Sequence, residues 1–283
     1  MYCIKKIKKI LCLCLLMALC MPMVQAQSIQ ESEKEHFSNF ESYNRAVTLP
    51  TGKKLYYYAQ NSPEWAKHWY DTKPNGFIVF GDGGCVASAL ANTLINLAPE
   101  NQLSKLKQLS RESFLLDSKA VPLHLGHPKR KKFAIESSAD FAAFLPLVLG
   151  QYASGNNLLS SNNYRSTAFY KPVFSLFHLQ NYESKKFEEV EHVLADGGLI
   201  VSSSGGMNSP IARGGHFFVI ADSDENYIYI LDSLVRERYK LDKKRYMEIM
   251  EPGVVRVKKE NLTKLHFNYF IAVEAAKNIT SEK

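Results

Sequence analysis

Beyond residue 26 the chain is nearly without cysteine. Four of its five cysteines, Cys3, Cys12, Cys14 and Cys20, lie in the first 26 residues, and only Cys85 follows. A single remaining cysteine leaves no internal disulfide, which excludes a disulfide-stapled scaffold. Cys85 also lacks the close Cys or His partner that a zinc spacing requires, so no metal or other cofactor is expected. Gly81-Asp82-Gly83-Gly84 is glycine-rich but lacks the Lys-Ser/Thr ending of a phosphate loop. There is no internal repeat and no low-complexity tract. The apolar run from Ile10 to Met23 holds 14 residues, short of the ~20 that a membrane-spanning helix needs.

That short run has another reading. Lys5, Lys6, Lys8 and Lys9 precede it, and Val24-Gln25-Ala26 follows with small residues at −3 and −1. This is the pattern of a secretory signal peptide cleaved after Ala26. It predicts a secreted or periplasmic protein with no stable membrane anchor after cleavage. Removing residues 1–26 also removes four lysines and no acid, which takes the formal charge from +7 to +3. The basic balance therefore belongs mostly to the leader and is no argument for nucleic acid. About 257 residues remain, enough for one large domain, which is expected to be monomeric. The 16 Phe and 15 Tyr of the whole chain point to a substantial core.

The chain is organised around Cys85. After Gly83-Gly84, the residues Val86, Ala89, Leu90, Thr93, Leu94 and Leu97 recur on one face of a 3.6-residue helix, which Pro99 ends. The first N–H groups of a helix and its dipole favour an anion, and a thiol placed there is favoured as thiolate. The glycines are expected to permit a tight turn and close approach of a substrate backbone.

Around this helix the pattern is mixed. Residues 27–50 read as a flexible N-terminal arm and 51–283 as one domain. Lys54 to Ala59 reads as a strand, and Ser137 to Leu149 as a helix interrupted near Leu145 by Pro146. Lys185 to Ala195 reads as a helix. Strands are expected at Leu199–Ser203, Gly215–Ala221, Tyr227–Leu231, Val254–Val257 and Leu265–Val273. Helices come mainly first and strands mainly later, which predicts an α+β fold with an antiparallel sheet.

Asp222-Ser223-Asp224-Glu225-Asn226 is a turn by composition, so the strands on either side form a hairpin. If the turn centres near residue 224, His216 lies directly opposite Asp232, with Cβ atoms roughly 5 Å apart. A carboxylate beside an imidazole fixes its tautomer and stabilises the imidazolium. A histidine so oriented is the base that a nucleophilic cysteine needs. The remaining histidines show no matching carboxylate pattern.

Three stretches carry a family resemblance. Gln60-Asn61-Ser62-Pro63-Glu64-Trp65-Ala66 with Tyr70 is similar to a Gln-containing segment. Gly83-Gly84-Cys85-Val86-Ala87-Ser88-Ala89-Leu90-Ala91 is similar to a Gly-Cys-Gly-Pro-Thr-Ser-x-Ala helix. Gly215-His216-Phe217-Phe218-Val219-Ile220, followed by Asp232, is similar to a Gly-His-Phe-x-Val strand and its Asp. Over roughly 55–235 the chain thus resembles papain-like cysteine peptidases of the bacteriocin-leader-processing type, the peptidase C-thirty-nine-like domains, in their stand-alone exported form. It departs from them where Val86-Ala87 replaces Gly-Pro. The resemblance implies a papain-like fold, with N-terminal helices on a C-terminal antiparallel sheet. It implies Cys85 as nucleophile, His216 as base, Asp232 as its orienter and Gln60 as the oxyanion donor. It implies a peptide or protein substrate and no cofactor. The same site could pass its acyl group to an amine rather than water, or the fold could be a retired peptidase that only binds.

Overall fold

Tyr, Ile and Val crowd residues 199–204, 216–223, 227–232 and 254–258, and these β-branched and aromatic runs form the middle of a seven-stranded sheet. The computed structural model describes residues 43–67, 69–71, 78–109, 115–117, 132–155 and 167–276. The elements begin with strands β1 (Arg45–Thr48), β2 (Lys54–Tyr57), β3 (Trp69–Asp71) and β4 (Ile78–Val79). Helices α1 (Phe80–Gly83) and α2 (Cys85–Leu97) follow, then a 3-10 helix at Glu100–Leu109. Next come β5 (Leu115–Asp117), β6 (Lys132–Ala134), α3 (Ser138–Ala143), α4 (Leu145–Gly155), α5 (Thr167–Leu176) and β7 (Leu179–Ser184). The chain continues through α6 (His192–Ala195), β8 (Leu199–Ser204), β9 (His216–Ser223), β10 (Tyr227–Asp232), β11 (Met247–Glu251), β12 (Val254–Lys258) and β13 (Phe267–Ala275).

The large sheet runs β11-β12-β10-β9-β8-β13-β7, and every pairing in it is antiparallel. The fold is mixed α+β, as the order of the patterns implies. Its central strands are buried along nearly their whole length. Phe218, Ile220, Ile228 and Ile230 pack with Val193, Leu194, Val255, Val257 and Phe270 in one apolar cluster. Helix α2 lies across β8, β9, β10 and β13. Among the described residues no helix is long and apolar enough to cross a membrane.

Several local readings are modified. The arm expected over 27–50 ends earlier, because Arg45–Thr48 pairs as β1 against β2, and Val47 and Leu49 are buried. The leader at 1–26 and the arm up to residue 42 lie outside the described residues. Ser137 caps α3 with a capping box closed by Asp140. Pro146 then lies in the first turn of a new helix, α4, where its missing N–H costs nothing. The helix expected at Lys185–Ala195 is two short turns, a 3-10 turn at Phe187–Glu189 and α6. Strands β7 and β11 went unread because they are edge strands with half-exposed sequences.

The glycine before the cysteine is required for packing within the fold. A Cβ on Gly84 would lie 2.6 Å from the carbonyl oxygen of Phe80 and 2.6 Å from its ring. Phe80 is fully buried, so neither can move far. The close approach expected of a substrate backbone is here made by Phe80. Gly84→Ala is therefore expected to destabilise the fold by about 1–3 kcal/mol, the usual range for overpacking. Urea unfolding measures it, and a change within error would show that the turn can relax.

Candidate active site

The cysteine is delivered by a helix start. Gly84 N–H bonds to Phe80 O at 2.7 Å, Ser88 N–H bonds to Gly84 O at 2.9 Å, and Cys85 opens α2 between them. The thiol is free and half-buried. It stands where the first-turn N–H groups lack helical acceptors.

The histidine is delivered by a strand start. His216 opens β9 and pairs with Ser204 of β8. The intervening loop returns on itself closely: a Cβ on Gly205 would lie 2.6 Å from Gly215 Cα, and Gly215 has φ +93°. A side chain at Gly205 would clash with the Gly215 backbone, and the left-handed φ of Gly215 would strain any other residue there.

Asp232 ends β10, but it does not sit opposite His216. The register pairs Asp232 with Phe218, Leu231 with Val219 and Ile230 with Ile220. Nearer the turn, Tyr229 pairs with Asp222 and Ile228 with Ser223, which leaves Ala221 as the extra residue of a bulge. The expected pairing is therefore corrected by two residues. Two is the period of side-chain alternation, so His216 and Asp232 still share a face and meet as diagonal neighbours. The bulge is what makes this so. Without it the turn register would set Asp232 opposite Val219, with its side chain on the other face.

His216 Nε2 and Asp232 Oδ1 form a short buried hydrogen bond. The Cys85 thiol lies near enough to the same imidazole to act on its charge. With Nε2 committed to Asp232, Nδ1 is the nitrogen left for sulfur. The ring thus stands between the thiol and the carboxylate. Burial works against a charge on His216, but the Asp232 carboxylate and the hydrogen bonds outweigh it and push the pKa up to about 9. The imidazolium is therefore the resting form at neutral pH.

Asp232 is 2 % exposed, yet both oxygens of its carboxylate are hydrogen-bonded. Oδ1 accepts from His216 and from Leu234 N–H at 2.9 Å. Oδ2 accepts from the Tyr239 hydroxyl. Arg236 Nε lies 3.1 Å from Oδ2 as an ion pair without an aligned hydrogen bond. Burial alone would raise this carboxyl, but Arg236, then His216 and the hydrogen bonds, hold it far below the usual carboxylate range. Its backbone is fixed as well, by Gly253 O at 2.8 Å and by the Tyr57 hydroxyl at 2.6 Å. Arg236 stacks over Tyr239 with its guanidinium carbon 4.7 Å from the ring centre. Sequence reasoning missed Tyr57, Arg236 and Tyr239. The two later residues follow Asp232 in Ser233-Leu234-Val235-Arg236-Glu237-Arg238-Tyr239, where no strand or helix period marks them.

Gln60 is tied to both halves of the site. Its backbone N–H bonds to Ser233 O at 2.6 Å, next to Asp232, and its Nε2 donates to Gly81 O at 2.8 Å, in the turn before Cys85. The adjacent Asn61 side chain exchanges two hydrogen bonds with the Val235 backbone, each 2.9 Å. One N–H remains on Gln60 Nε2, and Oε1 is buried without a partner. Among the described residues no group of three His, Cys, Asp or Glu side chains could hold a metal ion. No family model matches the chain, and none of the curated proteins matches it.

Proposed function

We propose that the protein is an exported cysteine peptidase with a papain-like fold, in which Cys85, His216 and Asp232 form the catalytic triad. One observation carries the reading: the His216 ring, beside the half-buried Cys85 thiol, is hydrogen-bonded to a buried carboxylate that Leu234 N–H, the Tyr239 hydroxyl and Arg236 also hold. The helix-borne thiol and the antiparallel sheet bearing the His and Asp support the fold assignment. In the reaction the Cys85 thiolate attacks the scissile carbonyl. His216 then gives its proton to the leaving amine. Water, activated by the neutral ring, hydrolyses the thioester and restores the pair. Asp232 stays ionised and holds the imidazole in place. Gln60 would present its second N–H to the developing oxyanion while Gly81 O fixes the amide.

The test is digestion of a peptide library by the protein lacking residues 1–26, with products identified by mass spectrometry. New peptide termini should appear, and adding an amine should show whether acyl transfer competes with hydrolysis. No new termini across a diverse library would overturn the proposal. Gln60→Ala is expected to lower kcat by about 10²-fold or more with little change in KM, the signature of a donor used mainly in the transition state. Equal kcat in the variant would remove Gln60 from the oxyanion role.

A further inference from the structure

The bulge at Ala221, which puts Asp232 and His216 on one face, is itself held from outside the sheet. Among the described residues neither neighbouring ladder pairs Ala221: the pairing with β10 passes from Ile220 to Asp222, and the pairing with β8 ends at Ile200 and Ile220. A bulge leaves its extra residue out of the ladder in this way. The Ala221 carbonyl is nonetheless used. Lys53 Nζ donates to Ala221 O at 2.8 Å and to Gly198 O at 3.0 Å, so one ammonium bridges the bulge and the residue just before β8. From the same turn, the Thr51 hydroxyl donates to the carboxylate of Asp222, the residue after the bulge. Asp222 Oδ1 in turn accepts the Ser223 N–H at 2.9 Å.

A lysine in a turn is ordinarily a solvated charge. Lys53 is half-buried; burial pushes its amine pKa down, and the Asp222 carboxylate opposes that shift. An ammonium drawn out of water is held by the acceptors that replace its hydration, and it has three donors to offer them. The turn that carries it is fixed: Leu49 N–H bonds to Lys53 O at 2.9 Å, and Gly52 N–H bonds to Leu49 O at 2.8 Å. Four residues on, the Tyr57 hydroxyl donates to Asp232 O. The chain from Lys53 to Tyr57 thus touches the β9–β10 hairpin at two points, the bulge that sets its register and the carboxylate residue that the register places.

We propose that Lys53 is a positioning residue for the His216–Asp232 pair: its ammonium stabilises the Ala221 bulge against the unbulged register, in which Asp232 would face away from His216. The proposal deepens the peptidase reading, and its effect on rate rests on that reading, whereas the pairing itself is tested by titration. In the protein lacking residues 1–26, the His216 ring is followed by NMR against pH, with His216→Gln assigning its signal. Lys53→Met keeps the length and apolar stem of the side chain but has no donor. It should lower the His216 pKa by about one unit or more and kcat by about tenfold or more, with KM changed less than about twofold. Lys53→Arg, which restores N–H donors, should recover both. Val47→Ala destabilises the same hairpin away from the bulge and should leave the titration unchanged. If Lys53→Met fails to fold, Lys53→Gln, whose shorter side chain cannot bridge both carbonyls, takes its place with the same expectation. An unchanged His216 pKa in a folded Lys53 variant overturns the proposal. So does an equal shift in Val47→Ala, which would make Lys53 only a support of the hairpin. If the wild type cleaves no peptide, the peptidase reading falls while the titration still decides the role of Lys53.

Discussion

Cys85→Ala is expected to abolish peptide hydrolysis, with a loss of at least about 10³-fold. The size of the effect follows from what an alanine leaves behind. The acyl-enzyme route disappears, and only positioning and oxyanion contacts remain. The same thiol gives a second readout. At pH 6 an ordinary cysteine is only ~0.3 % ionised. Cys85 faces an imidazole that keeps its proton until about pH 9, and a cation beside a thiol raises its reactivity toward alkylating agents. Iodoacetamide should therefore label Cys85 at pH 6 about tenfold or more faster than a free thiol. The advantage should shrink above pH 9, where His216 becomes neutral and free thiols ionise unaided. Because Cys85 is the only cysteine after residue 26, the label reports on one site. Labelling no faster than free cysteine at pH 6 would show that the thiol and imidazole do not act as an ion pair, and the catalytic proposal would fail with it.

How much of this site was legible depended on the range of the interaction. The helix of Cys85 and the strands of His216 and Asp232 were readable because each is written in a local period. The shared face of His216 and Asp232 was readable for the same reason. The register was not. It depends on Ala221, an alanine inside an apolar strand with nothing in its chemistry to mark a bulge. Face survived where register failed because the turn placement and the bulge together moved the pairing by two residues. The contribution of Tyr57, Arg236 and Tyr239 is non-local or lies in irregular chain. Tyr57 reaches Asp232 from a strand in the other half of the domain, and a strand pattern marks it only as inward-facing. Gln60 was found only through the family motif. Its bonds to Gly81 and Ser233 now give it a physical role, joining the nucleophile turn to the chain after the carboxylate.

Asp232→Asn is expected to have the second large effect, and in two separable parts. For catalysis, the asparagine side chain keeps a hydrogen-bonding oxygen but not the charge. Burial, which opposes the imidazolium, then dominates, and His216 rests neutral at pH 7. Loss of the ion pair and of the held tautomer should lower the rate by about 10³–10⁴-fold. For stability, the folded pKa of His216 is raised from its ordinary 6.5 to about 9. The imidazolium pair therefore stabilises the native state fully below pH 6.5, and that contribution is lost as pH rises through 9. Over this window wild-type stability should fall by at most about 1.4 kcal/mol per pH unit. The depressed Asp232 works in the opposite direction: its contribution is present above its ordinary pKa near 4 and is lost as pH falls below it. The Asp232→Asn variant has neither limb, so its urea unfolding from pH 6.5 to 9 should be nearly flat in this respect. The variant also leaves Arg236, a partly buried guanidinium, without its ion-pair partner Asp232, at a cost below the ~3–5 kcal/mol of a fully buried stranded charge. Adding Arg236→Met removes that stranded charge, so the double variant should recover much of the stability and none of the rate. A single variant that keeps the wild-type slope between pH 6.5 and 9 would show that Asp232 does not hold the His216 proton. A double variant that regains activity would show that the carboxylate only balances Arg236.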